Sequence, residues 1–205
     1  VEAGADDNKE EVDGCVTPLC VAAFQDHETV VRELIEAGVD FNKAMDNGGT
    51  PLYVAAQEDH ETVVRALIEA GADVNEAADN GATPLNMATR NDHEAVVRAL
   101  IEAGADVNQA KDDGATPLVI AAQNSHEAVV RPLIELGADV NKAMDNGGTP
   151  LNVAAQNGHA AIVRALIDLG ADFNNATDNG GTPLDAAVEK GHDAIVQILR
   201  DAGAA

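Results

Sequence analysis

The tripeptide Thr-Pro-Leu recurs six times at constant spacing, and this limits what the chain can fold into. It begins at Thr17, Thr50, Thr83, Thr116, Thr149 and Thr182, each 33 residues after the last. Self-similarity at a fixed period of this length is typical of a solenoid, in which each unit packs only against its neighbours. The sequence therefore predicts one repetitive domain over residues 1–205.

Each unit begins with signals for a short helix, which the unit at Thr50 illustrates. Thr50 can cap a helix because its hydroxyl accepts a hydrogen bond from a free N–H group of the first turn. Pro51 suits the first helical position, where its missing N–H costs nothing. Leu52 then begins the apolar face, so a first helix is predicted from Pro51 to Glu58.

A second helix is predicted from Glu61 to Ala70. Apolar residues between Val63 and Ile68 recur at i, i+1, i+4 and i+5, which places them on one helical face. In the fourth unit Pro132 stands inside the equivalent helix. Because proline removes a hydrogen bond there and clashes with the preceding turn, a kink or a late start is predicted.

A loop joins each helix pair to the next. Gly71 is placed for the left-handed residue that follows a helix. Asn80-Gly81 marks a tight turn. The loop is therefore predicted to be a hairpin-like finger, with strands too short to form a sheet alone.

Arginine repeats on the second helices at Arg32, Arg65, Arg98, Arg131 and Arg164, and an acidic residue follows each by four positions. Opposite charges at i and i+4 attract on a helix surface by roughly 0.2–0.5 kcal/mol per pair. A solvated ladder of these pairs is therefore expected, rather than an anion-binding stripe.

These features resemble the ankyrin repeat. Also similar are the Gly158-His159 turn, the Val-Val-Arg-x-Leu-Ile helix and the Gly-Ala-Asp-Val-Asn loop. The resemblance implies an all-α fold, an ankyrin-repeat solenoid of stacked helix-turn-helix units with β-hairpin-like finger loops. A partial repeat tail is expected over residues 1–12. The full repeats are expected at about 13–45, 46–78, 79–111, 112–144, 145–177 and 178–205.

The histidine that follows Thr-Pro-Leu in the family is absent here. Its place is taken by Cys20, Tyr53, Asn86, Val119, Asn152 and Asp185. That histidine usually connects neighbouring fingers by hydrogen bonds, so its loss weakens the expectation of such bonds, and the varied replacements indicate a tuned surface. A different histidine recurs in the turn between the two helices of each unit, where a structural role is expected. These residues are His27, His60, His93, His126, His159 and His192.

Charge limits the possible partners. The chain has 12 Lys and Arg against 36 Asp and Glu, a net charge of −24. Such a surface repels nucleic acid and anionic membranes, and it attracts a basic protein with an on-rate that falls as salt rises. Binding to a basic protein surface, no nucleic acid, no membrane insertion and a monomeric state are therefore expected.

Neither an enzyme nor a metal site is predicted. Cys15 and Cys20 lack metal-ligand spacing, and the six histidines belong to the repeat motif. No catalytic constellation stands out, so no catalytic residue, metal or cofactor is expected. The two cysteines are expected to be reduced thiols, which favours a cytoplasmic location.

The resemblance implies that a partner binds to the finger tips and to the exposed, concave side of the first helices, where the units differ. The finger-tip candidates are Met45, Asp46, Asn47, Asp79, Asn80, Lys111, Asp112, Asp113, Met144, Asp145 and Asn146. The first-helix candidates are Tyr53, Gln57, Glu58, Asn86, Arg90, Asn91, Val119, Gln123, Asn124, Asn152 and Gln156. Because interface energy concentrates in aromatic residues and arginine, Tyr53 and Arg90 are predicted to matter most. Met45 and Met144 are predicted to contribute next most to binding, unless they pack between fingers.

The leading hypothesis is a non-enzymatic module that binds a protein. A passive scaffold or spacer within a larger protein is an alternative, because the units are nearly identical and the chain starts partway through one. An engineered repeat binder is another. A third is a substrate for asparagine hydroxylation, which the resemblance suggests for residues that match the finger asparagine modified in some animal ankyrin proteins. These are Asn42, Asn75, Asn108, Asn141 and Asn174.

Overall fold

The computed structural model describes residues 17–204, and over this range the chain is a stack of six helix pairs. The first helices of the pairs are α1 Pro18–Phe24, α3 Pro51–Gln57, α5 Pro84–Arg90, α7 Pro117–Asn124, α9 Pro150–Asn157 and α11 Pro183–Lys190. The second helices are α2 Glu28–Glu36, α4 Glu61–Glu69, α6 Glu94–Glu102, α8 Glu127–Glu135, α10 Ala160–Asp168 and α12 Asp193–Ala202. No strand occurs among these residues, so the predicted all-α repeat fold is confirmed.

Capping determines where the first helices start. The hydroxyl oxygen of Thr50 accepts a hydrogen bond from the Tyr53 N–H at 3.2 Å, and Pro51 occupies the first helical position. The same threonine and proline begin all six first helices. The predicted starts of these helices are therefore confirmed.

A left-handed residue turns the chain between the two helices of each pair. Asp59 has a φ of +62°, Ser125 of +62° and Gly158 of +83°. Only glycine adopts this region without strain, although Asp tolerates it better than most residues. The backbone conformation at this position is therefore kept while the residue changes.

Pro132 lies inside α8 and is buried. This helix runs from Glu127 to Glu135, at the positions that α6 occupies one repeat earlier. The predicted late start of the helix is therefore wrong, whereas a kink within these bounds stays a prediction.

The helices form two layers that run along the stack. Each first helix packs on the first helices of the neighbouring units, and each second helix packs on the neighbouring second helices. Between the layers lies one continuous core of leucine, valine, isoleucine and alanine. Small residues such as Ala55 and Ala56, both fully buried, allow close approach of neighbouring first helices.

Turn histidines connect successive units. In each of the last five, Nε2 lies within hydrogen-bonding distance of a carbonyl at the end of the preceding first helix, at 2.7–3.1 Å. Because a carbonyl can only accept, Nε2 carries the proton in these bonds. The bonds join His60 to Phe24, His93 to Gln57, His126 to Arg90, His159 to Gln123 and His192 to Gln156. The structural role predicted for these histidines is confirmed.

Three arginines of the second helices, Arg32, Arg65 and Arg98, form ion pairs, but not with the acidic residue four positions after them. Among the described residues Arg131 and Arg164 form no ion pair. Arg65 contacts Glu61 at 2.8 Å, four residues before it rather than four after. Arg32 contacts Glu28 at 2.8 Å and also reaches Glu69 of the next unit at 3.0 Å. The prediction failed because helical side chains lean toward the N-terminus, which brings the arginine over the preceding turn.

Some predictions fall on residues that the structure does not describe. The partial repeat over residues 1–12, the start of the first full unit and Cys15 lie outside the described range. Each predicted unit from 13–45 onward contains one helix pair, while the unit boundaries stay predictions.

Candidate binding surface

The finger loops are tight turns closed by backbone hydrogen bonds. The Met45 N–H donates to the Gly49 carbonyl at 2.8 Å, and the Gly48 N–H donates to the Met45 carbonyl at 3.0 Å. The side-chain oxygen of Asn47 accepts from the Gly49 N–H at 2.9 Å. The tip is therefore hairpin-like without forming a strand, as the Asn-Gly signal predicted.

Neighbouring fingers stack through their backbones. The Asp79 N–H donates to the Asn47 carbonyl at 3.0 Å, and the Asp112 N–H donates to the Asn80 carbonyl at 3.2 Å. A Cβ built at Gly48 would lie 2.7 Å from the Asp79 nitrogen, so glycine is needed for this approach. These hydrogen bonds leave the side chains at the finger tips available for other contacts. We call the surface formed by the tips and the outward side of the first helices the finger face.

Two small apolar clusters lie beneath the fingers. In the first, Tyr53 packs with Val54, Ala78, Ala82 and Met87, and Met45 and Phe24 pack against it. In the second, Val119 packs with Ala115 and Ile120, against which Met144 and Val153 pack. The interpretation that the two methionines pack between fingers is therefore confirmed.

Tyr53 does not present its ring as a contact surface. Only 9 % of the residue is exposed, because the ring lies in the first cluster. Burial raises the pKa of the Tyr53 hydroxyl, and the nearby charge of Arg90 opposes this rise. Burial argues against Tyr53 as a leading contact, which stays a prediction, because its bulk packs in the apolar cluster beneath the fingers.

The remaining candidates divide by exposure. Exposed are Asp46, Asn47, Asp79, Asn80, Arg90, Asn91, Asp112, Asp113, Gln123, Asn124, Asp145, Asn146 and Gln156. Half-buried are Met45, Gln57, Glu58, Lys111 and Met144. Buried are Val119, Asn86 and Asn152. Val119 is fully covered, which argues against direct contact, and its role as a contact residue stays a prediction.

The two buried asparagines stabilise helix ends. The side-chain oxygen of Asn86 accepts from the Thr83 N–H at 2.8 Å, while the Thr83 hydroxyl accepts from the Asn86 N–H. Asn152 and Thr149 form the same reciprocal capping box. These residues replace the family histidine, and they lie inside the fold rather than on the tuned surface that sequence indicated.

A pocket of about 300 Å³ opens in the finger face between the third and fourth units, and we call it the Arg90 pocket. Its lining consists of Asn80, Ala82, Asn86, Met87, Arg90, Lys111, Asp113, Ile120, Gln123 and Asn124. Seven of these residues were candidates from the sequence. Ala82, Met87 and Ile120 were missed, because the apolar residues of the repeat pattern are expected to lie in the core.

The charges in the Arg90 pocket differ from those of the whole chain. Its lining carries two cations and one carboxylate, although the net charge of the chain is −24. Lys111 Nζ contacts Asp113 Oδ2 at 3.1 Å. Burial raises the pKa of Asp113, but hydrogen bonds from the Ala115 N–H and from Lys111 outweigh it and hold this pKa below its usual range. Arg90 forms no ion pair with any described residue.

The loop asparagines matched to hydroxylation sites are engaged between units. Asn75 Oδ1 accepts from the Asp106 N–H at 2.7 Å, and its Nδ2 donates to the Gly104 carbonyl at 3.3 Å. The side-chain oxygens of Asn42, Asn108 and Asn141 likewise each accept a hydrogen bond from the backbone N–H of an aspartate in the next unit. Their hydroxylation stays a prediction.

No group of three or more His, Cys, Asp or Glu side chains in residues 17–204 is arranged to hold a metal ion. None of the helices in this range is long and apolar enough to cross a membrane.

Six capped helix pairs, joined through turn histidines and stacked fingers, define a helical repeat solenoid. The family model for ankyrin repeats, which spans three copies, matches residues 2–78, 70–144 and 142–205. The chain therefore belongs to the ankyrin repeat family, whose members are generally protein–protein interaction modules and typically not enzymes. No individual curated protein matches the sequence.

Proposed function

We propose that this chain is a non-enzymatic module that binds a protein partner through the finger face. The observation that carries the proposal is the variation of exposed residues at equivalent positions. The last turn of the first helix, for example, presents Arg90 in the third unit, where the flanking units have the half-buried Gln57 and the exposed Gln123, on one backbone geometry. The turn histidine of the next unit bonds to the carbonyl group at each of these positions, so their side chains can vary without loss of that bond.

Electrostatics favours a partner with a largely basic surface. The finger tips carry an aspartate in every described unit from Asp46 onward, as part of a net charge of −24. Such a field accelerates encounter with a positively charged protein, and salt screens it with a Debye length of about 10 Å at 0.1 M.

The test is capture of a partner by the full chain, compared with two variants. Arg90→Ala combined with Gln123→Ala removes exposed side chains from the finger face. Arg131→Ala is the matched control, since Arg131 is an exposed arginine on second helix α8. We expect the double variant to lose about 2 kcal/mol or more of binding free energy, and the control to lose little.

The outcome separates the alternatives. A partner lost with the double variant and retained by Arg131→Ala supports the finger face. Equal capture by all three chains contradicts the proposal. If only a salt-sensitive background is captured, the scaffold or spacer hypothesis is favoured instead.

A further inference from the structure

We propose that the Arg90 pocket receives an aspartate or glutamate side chain of the bound partner, as an anionic anchor within an otherwise basic contact surface. This inference rests on the proposed function. It concerns the chemistry of one position in the interface, and it follows from the hydrogen-bonding groups that the fold leaves unused there.

The first of these groups is the side-chain amide of Asn86. The Thr83 N–H can only donate, so its 2.8 Å hydrogen bond identifies the bonded atom of Asn86 as the oxygen. The nitrogen Nδ2 is therefore fixed on the other side. It is buried and has no hydrogen-bond partner, although the residue lines the pocket.

The equivalent residue two units later shows that the fold can satisfy this donor. Asn152 forms the same capping box, and its Nδ2 donates to the Asn175 carbonyl at 3.3 Å. Asn86 lacks the corresponding bond. A buried unpaired donor costs roughly 1–3 kcal/mol, which a ligand oxygen can recover.

The second group is the guanidinium of Arg90. It is exposed, it lines the pocket, and no carboxylate of residues 17–204 pairs with it. Arginine offers five N–H donors in a planar fork that matches the two oxygens of a carboxylate. Among cationic side chains it is therefore the one best suited to hold Asp or Glu in a fixed orientation.

Three of the acceptors that line the pocket are already engaged, which argues against a cationic ligand. Asp113 accepts from the Ala115 N–H and from Lys111. The oxygen of Asn80 accepts from the Ala82 N–H, and that of Asn86 accepts from Thr83. What the lining retains is mostly hydrogen-bond donors, so a group that only accepts fits best.

Two lining side chains allow the ligand to reach the buried donor. Asn86 Nδ2 is covered in the structure, so a carboxylate must displace a neighbour to contact it. Met87 and Arg90 are both unbranched and have several rotatable bonds, and both line the pocket. Movement of the exposed Arg90 side chain requires no change in the backbone, whereas movement of Met87 also removes it from the first apolar cluster.

The test is an NMR titration of the isotopically labelled full chain with three acetylated and amidated pentapeptides. Each has a central Glu, Gln or Lys between glycines. We expect the Glu peptide to shift the side-chain signals of Asn86 and Arg90 and to bind about tenfold more tightly than its Gln isostere. The Lys peptide should leave these signals unshifted.

Two variants locate the effect. Arg90→Gln should abolish the preference for Glu over Gln, whereas the matched variant Arg131→Gln should keep it. Both positions are exposed, and unchanged amide signals elsewhere confirm that each variant folds. Equal shifts with the Gln or Lys peptide, or a Glu preference that survives Arg90→Gln, would overturn the inference.

The two experiments distinguish a wrong carboxylate assignment from a wrong proposed function. If the peptides show no preference while partner capture still requires the finger face, the carboxylate assignment alone is wrong. If capture does not depend on the finger face, the proposed function fails whatever the peptides do.

Discussion

The second helices and the finger face follow opposite rules within the same repeat. The second helices α4 and α6 are nearly identical, with the same buried valines and leucine and an arginine that contacts the preceding turn. The finger face keeps one backbone geometry and changes its side chains. Backbone hydrogen bonds hold the fingers together, so side chains there can vary at small cost to stability.

The third position of the first helices shows how this works. Tyr53, Asn86 and Val119 are chemically different, yet each is buried and each donates its backbone N–H to the capping threonine. The cap requires only the backbone of this residue. Its side chain is therefore available to pack under a finger, as Tyr53 and Val119 do, or to form a capping box, as Asn86 does.

The largest expected effect comes from truncating a buried leucine in each of the two helix layers, which tests whether the layers are equally well packed. Leu100 in α6 and Leu118 in α7 are both fully buried. Leu100→Ala and Leu118→Ala should each lower the free energy of unfolding by about 2–5 kcal/mol, because each leaves a cavity. Urea denaturation measures this, with Leu100→Met as a control that should cost less than about 1.5 kcal/mol. A negligible cost at Leu118 alone would mean that the layer below the finger face is loosely packed.

The next prediction concerns the departure of α8 from the second-helix pattern. Alanine stands at Ala66, Ala99 and Ala165, where α8 has Pro132. Pro132→Ala restores an N–H that can bond to the Ala128 carbonyl, so it should stabilise the chain by up to about 3 kcal/mol. Thermal unfolding measures the gain, and the reverse substitution Ala99→Pro should lose a similar amount. An unchanged midpoint for Pro132→Ala would show that burial of the ring compensates for the lost hydrogen bond.

A smaller effect is expected in the first helices. Thr89 is fully buried and its hydroxyl has no hydrogen-bond partner, whereas alanine occupies this place at Ala56, Ala122 and Ala155. Thr89→Ala removes the unpaired hydroxyl and should raise the free energy of unfolding by about 1 kcal/mol. Chemical denaturation tests this, with Ala122→Thr as the matched change in the opposite direction. A loss of stability on Thr89→Ala would mean that the threonine methyl packs better than expected.

Much of the fold was predictable from the sequence because the signals repeat in register. The threonine cap, the proline at the first helical position and the glycine after the second helix are local features, so each predicts its own boundary. The partners of the arginines were predicted wrongly. Sequence spacing gives two acidic neighbours for Arg65, and only side-chain direction selects Glu61.

The candidate site was predictable only in part. Exposed polar residues such as Arg90 and Gln123 were found because the resemblance places them on the exposed side of the first helices. The burial of Tyr53 and Val119 was missed, since it depends on how each finger covers the helix below it. The unpaired amide nitrogen of Asn86 could not be predicted from the sequence either. The identical residue Asn152 stands at the equivalent position, yet its amide nitrogen donates a hydrogen bond to the next loop.

The smallest expected effect concerns two capping boxes, of which only the one at Asp185 carries a charge. The Asp185 carboxylate accepts from the Thr182 N–H at 2.9 Å and from its hydroxyl at 2.7 Å. These bonds hold the pKa of Asp185 below its usual range. Because the folded pKa is lowered, the contribution to stability is complete above the pKa of the unfolded chain and is lost as the pH falls through the folded value. The equivalent box at Asn152 has no titratable group, so its contribution should not depend on pH.

Carbon NMR titration of the Asp185 carboxyl group measures the pKa directly, and amide exchange across α11 reports the cap. We expect exchange at the start of α11 to rise in acid, while the start of α9 stays protected at the same pH. Asp185→Asn should keep the start of α11 protected from exchange in acid, as the start of α9 is, because it keeps the acceptor oxygen and removes the titrating group. A pKa of Asp185 at or above the usual value for aspartate would show that the hydrogen bonds from Thr182 do not favour the ionised form. The capping box at Asp185 would then gain no stability from ionisation of the carboxyl group.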